Sequence, residues 1–120
     1  KEGRSPIDYA DALPSPLPAL ANTAYAGKYV NTLYGLLDIC VRGGRLTMRQ
    51  GLKKIAFPLR HYNHNTFYYD TTGESAVGLS GVTFTIDATG IATHVTVENL
   101  DRDGLGMFTR SSATQRMEAL

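Results

Sequence analysis

From Gly27 onward, apolar and polar residues alternate with a period of two in short runs separated by turn residues, the pattern of half-buried strands. In Leu37-Asp38-Ile39-Cys40-Val41-Arg42, the side chains of Leu37, Ile39 and Val41 share a face. Gly43-Gly44 separates this run from Arg45-Leu46-Thr47-Met48-Arg49, and two glycines between alternating runs predict a two-residue hairpin, because primed turns need positive φ. A second hairpin is predicted where Val82, Phe84 and Ile86 alternate with Thr83, Thr85 and Asp87. After Ala88-Thr89-Gly90 the chain resumes with Thr93, Val95 and Val97 on one face. Shorter runs at 28–34, 54–60, 65–70 and 105–110, the last with either Met107 or Phe108 inward, bring the count to eight. Eight strands joined by short turns close into an up-and-down barrel, so the expected fold is all-β, an eight-stranded antiparallel barrel.

The flanks follow a different pattern. Residues 1–18 hold Pro6, Pro14, Pro16 and Pro18, which fix φ and remove backbone donors, so this stretch is expected to run extended as an arm or linker. Ala19 to Ala26 is rich in alanine and stops at Gly27, which predicts a short N-terminal helix. The barrel itself is expected over 19–110, with 111–120 a flexible tail. The connection from Asp70 to Gly81, full of small polar residues, is expected to be mobile. The opening Lys1-Glu2-Gly3-Arg4, with neither an initiator Met nor a signal-peptide pattern, reads as cut from something longer.

Composition narrows the partners. A chain of 120 residues suits one core. With 42% hydrophobic and 19% charged residues, neither disorder nor a membrane protein is indicated, and no apolar run is long enough to span a bilayer as a helix. Net charge is +1, from 12 basic and 11 acidic residues. The one concentration of cations, Arg42, Arg45, Arg49, Lys53, Lys54 and Arg60, has no interleaved aromatic ladder, so neither nucleic acid nor a membrane surface is expected as a partner. Cys40 stands alone, which excludes an internal disulfide and fits a packed small residue between Ile39 and Val41.

Each candidate for catalysis lacks a necessary part. Tyr29-Val30-Asn31 matches the Tyr-x-Asn element of penicillin-recognising serine hydrolases, but no serine has lysine three residues on and Lys-Thr-Gly is absent. Asp70-Thr71-Thr72-Gly73 carries an extra threonine relative to the Asp-Thr-Gly loop of aspartic proteases. His61, His64 and His94 could supply three nitrogens to zinc, yet residues three apart on a strand face opposite sides, so His61 and His64 converge only across a turn. No catalytic residue, metal or cofactor is therefore expected. The most specialised stretch runs from His61 to Tyr69, with two histidines and four aromatics in nine residues. Such side chains carry polar groups that need partners, so His61, Tyr62, His64 and Tyr68 are the candidates for a barrel mouth or an interface.

Four segments also carry a resemblance: Tyr25-Ala26-Gly27-Lys28-Tyr29, Phe57-Pro58-Leu59-Arg60-His61-Tyr62-Asn63-His64-Asn65-Thr66-Phe67, Gly81 to Gly90, and the ending Phe108-Thr109-Arg110. Together they resemble the lipocalin-like C-terminal domain that follows the catalytic domain of class C β-lactamase-like and penicillin-binding-protein-like serine hydrolases, the S12-type peptidases. The resemblance covers about residues 20–110, and Asn65 stands where the family shows aspartate. It implies a lipocalin-like barrel that is not itself an enzyme. Its partner would be an N-terminal serine hydrolase domain of the same parent chain, with docking on that domain or on another subunit. A small-molecule carrier, with an apolar ligand inside the barrel, is the other class the sequence leaves open.

Overall fold

In the computed structural model, which describes residues 7–50, 55–71, 78–101 and 104–111, the alternation becomes nine antiparallel strands. They are β1 (Gly27–Asn31), β2 (Gly35–Arg42), β3 (Arg45–Gln50), β4 (Ile55–Pro58), β5 (Arg60–Asn63), β6 (Thr66–Asp70), β7 (Leu79–Ile86), β8 (Ala92–Val97) and β9 (Met107–Arg110). The hydrogen-bonded order is β4-β3-β2-β1-β9-β8-β7-β6-β5. The two outermost strands, β4 and β5, are successive in the chain with only Leu59 between them. The sheet thus curls into a nearly closed barrel whose last seam is the covalent chain itself.

That seam explains nine strands rather than eight. The predicted run 54–60 breaks after Pro58, whose nitrogen cannot donate to a ladder. Up to Pro58 the chain pairs with β3, and buried Leu59 adds one more bond from its N–H to the Leu46 carbonyl at 2.9 Å. From Arg60 it pairs with β6 instead. The strand β5 lies in the histidine–tyrosine stretch, which has no apolar–polar alternation to predict it.

Other boundaries shift for local reasons. The first strand stops at Asn31, short of 34, because the Asn31 Oδ1 accepts the N–H groups of Leu33 and Tyr34 at 2.7 and 2.9 Å and turns the chain. The helix is only Asn22–Tyr25, since Leu20 is drawn away by a hydrogen bond from its N–H to the Tyr25 hydroxyl and Ala21 is extended. The Gly43-Gly44 hairpin forms with φ of 59° and 78°. At the β7–β8 turn, the Asp87 Oδ1 accepts from the Thr89 hydroxyl and the N–H groups of Thr89 and Ile91, which holds this carboxyl below the usual carboxylate range. Strand β7 begins at Leu79, inside the predicted mobile connection; residues 72–77 of that connection, and 112–120 of the predicted tail, lie outside the described residues.

The interior is filled by large side chains: Tyr25, Tyr29, Leu37, Met48, Phe84 and Phe108 are all at most 3% exposed. Phe108, not Met107, faces inward. Val41 was expected on the inner face but is 45% exposed, while Leu46, opposite it on β3, is buried. Thr93 is only half-buried and Ala92 takes the inner position, since a register shift at Thr85/Ile86 places Ala92 opposite Ile86.

Candidate functional site

The histidine–tyrosine stretch folds back on itself as the β5–β6 hairpin. Its pairing shifts register between His61 and Asn63, so Tyr62 is the extra residue of a bulge. His64 sits at the tip with φ of 50°, a left-handed conformation that histidine adopts at some cost. His61 reaches the tip, its Nε2 3.0 Å from the His64 carbonyl oxygen and its ring edge-on to Phe67. Both histidines are exposed. His94 lies on β8, its Nδ1 2.8 Å from the Thr93 hydroxyl, and no three histidine, cysteine or carboxylate side chains come together among the described residues.

Tyr62 and Tyr68 form a ledge on the outer wall, and the N-terminal arm lies on it. Tyr9, only 4% exposed, stacks on Tyr68 (centroids 5.5 Å apart, planes 14° from parallel) and meets Tyr62 edge-to-face at 4.9 Å. Its ring fits because Gly81, the cross-strand partner of Tyr68, has no side chain: a Cβ there would lie 2.1 Å from the Tyr9 hydroxyl. Farther along, the Leu17 N–H donates to Asn63 Oδ1 and the Leu17 carbonyl accepts from the His64 N–H, both at 2.8 Å. Tyr25 joins arm to tip, accepting from the Leu20 N–H at 2.9 Å and donating to Asn65 Oδ1 at 2.8 Å.

A polar lock lies at the same end of the barrel. The half-buried Arg110 guanidinium donates to the carbonyls of Ala92 and, at 3.0 and 3.4 Å, of Ala26 and Ala24, and to the Tyr29 hydroxyl at 2.9 Å. Its carbon stands 5.0 Å from the Tyr29 ring centroid. Gly27, at φ of 152°, makes room, since a Cβ there would be 2.2 Å from Arg110 Nη1. Tyr29 in turn donates to the Tyr25 carbonyl at 2.6 Å. Burial pushes its hydroxyl up to about 12, against the opposing pull of Arg110. Tyr29 is thus a buried structural donor, and Asn31, whose Nδ2 donates to the carbonyls of Leu105 and Met107, is a loop clamp.

The opposite end carries an apolar groove of about 590 Å³, lined by Val30, Leu33, Leu105 and Met107 with Thr32 and Thr109. Leu36, opposite Val30 on β2, extends it, and these five apolar side chains are 41–61% exposed. Neither this groove nor the Tyr9 contact is predicted from the sequence. Val30 and Leu36 occupy the phase of the alternation opposite to Tyr29 and Leu37, a signal that was present, and Tyr9 was an aromatic alone in a proline-rich arm.

No curated protein matches this chain. It is similar to the C-terminal domain of penicillin binding protein Rv0907, known from a crystal structure, with a TM-score of 0.75 and 28% identity over 88% of this chain and 100% of that one. The family described as "Domain of unknown function (DUF3471)" matches residues 12–114, a span that takes in all nine strands, the helix and the Leu17 contact, and the chain belongs to that family.

Proposed function

We propose that this barrel is a non-catalytic C-terminal accessory domain of a β-lactamase-like, S12-type serine hydrolase, where it aids assembly or shapes access to the neighbouring active site. The observation that carries the reading is the likeness to a C-terminal domain of a penicillin-binding protein across that domain's full length. In this reading residues 1–18 link the barrel to the catalytic domain, 19–110 are a lipocalin-like barrel and 111–120 a tail. The exposed apolar groove at Val30, Leu36 and Met107 adds a surface suited to contact with that domain or another subunit. The carrier reading is disfavoured because Tyr25, Tyr29, Phe84 and Phe108 occupy the space a ligand would need.

The test is activity with and without the barrel. The isolated chain is expected to leave chromogenic β-lactams and esters untouched. Deleting the barrel from a longer polypeptide that carries a preceding Ser-x-x-Lys domain is expected to lower its turnover or its assembly state. Turnover by the isolated chain that disappears in Tyr29→Phe would overturn the proposal.

A further inference from the structure

We infer that the outer ledge of Tyr62, Asn63, His64, Tyr68 and Gly81 is a peptide-binding site whose ligand is the chain's own arm, residues 7–20, held as a strap. The inference deepens the accessory-domain reading and rests on it only for its consequence, a barrel held at a set orientation to what precedes it. The arm's sequence suits capture. Pro16 and Pro18 have no N–H, so Leu17 offers the only backbone donor between Ser15 and Ala19, and that donor is the one Asn63 accepts. The Leu17 carbonyl is taken by the N–H of the very next residue, His64, so one arm residue is held through both its polar groups.

Eight positions earlier Tyr9 supplies the second anchor, an aromatic ring seated between two tyrosines over a glycine. Prolines limit the conformations an unbound arm can explore, which lowers the entropy lost on docking. The ledge therefore recognises an extended, proline-spaced peptide by an aromatic residue and a paired backbone unit, a mode shared with other proline-segment sites. The same residues explain the bulge and the left-handed His64. The bulge aims Tyr62 outward at Tyr9, and the His64 turn presents its N–H to Leu17.

The test uses the full chain and amide hydrogen exchange followed by NMR. In the unaltered protein the N–H groups of Leu17 and His64 are expected to be protected. Tyr9→Ala, on the arm, and Gly81→Ala, on the ledge, are each expected to lower that protection by about tenfold, from the loss of two aromatic contacts, while β2–β3 amides keep theirs. A synthetic peptide of residues 7–20, added to the Tyr9→Ala chain at about millimolar concentration to match a short tether, is expected to restore protection at His64; the same peptide with alanine for tyrosine is not. Free-peptide exchange of Leu17 in the unaltered chain, undiminished protection in Tyr9→Ala, or no recovery with the peptide overturns the inference. None of these outcomes depends on a hydrolase, so failure here is separable from failure of the accessory-domain reading.

Discussion

The Arg110 lock and the tyrosine ledge lie at the same end of the barrel, one under the rim and one on the outer wall, and they hold the chain by different physics. The lock sends one half-buried guanidinium to three carbonyls and a phenol. Polar groups so placed add little when paired and cost much when orphaned. The ledge relies on ring contacts at half-buried tyrosines, worth less and open to reversible release. The difference assigns the lock to the integrity of the barrel and the ledge to the position of the arm.

The largest expected effect separates the two. Arg110→Leu leaves the carbonyls of Ala24, Ala26 and Ala92 without their donor and is expected to cost about 3 kcal/mol in chemical unfolding. Tyr9→Ala, by contrast, is expected to change arm protection while leaving the midpoint of unfolding nearly in place. Equal loss of global stability in both variants would erase the distinction.

A second test of the lock uses alkali. Burial raises the Tyr29 hydroxyl above the value it has in the unfolded chain, so the unfolded state releases this proton first as pH rises. The stabilisation is complete below about pH 10 and is lost as pH climbs toward about 12, on the order of 2–3 kcal/mol in all. Urea unfolding across that window should show the decline, and Tyr29→Phe should flatten it at the cost of its bonds to Tyr25 and Arg110.

The smallest effect sharpens the ledge. His64→Gly relieves the left-handed backbone and is expected to raise stability by about 0.5–1 kcal/mol. Because the His64 contribution to Leu17 is its main-chain N–H, arm protection should survive the change.

Much of the barrel was legible in the sequence because its signals are local. Gly43-Gly44, the alternation of Val82, Phe84 and Ile86, and the glycine-bounded turn at Gly90 each specify a hairpin without reference to the rest of the chain. The β4–β5 switch was not legible, since only the competition between β3 and β6 for the same run decides where pairing changes. The candidate site was half legible. A concentration of His61, Tyr62, His64 and Tyr68 marked the segment, but Tyr62 and Tyr68 acquire their partner from Tyr9, more than fifty residues away, and no periodicity reports such a contact. The exposed Val30 and Leu36 were hidden for another reason: a reading that seeks the inner face discards apolar residues on the outer one.

The order of strands in the sheet also dictates an order of events. Every neighbouring pair is joined by a local connection except β1 with β9, whose register sets Tyr29 against Arg110 across almost the whole barrel sequence. Two meanders, β1–β4 and β5–β9, can form from nearby contacts at small entropic cost, and only then does the long loop close. The Arg110 lock is consequently a late clasp in folding. Weakening it is expected to hasten unfolding far more than it slows assembly, so this arginine bears on how long the barrel, once formed, persists.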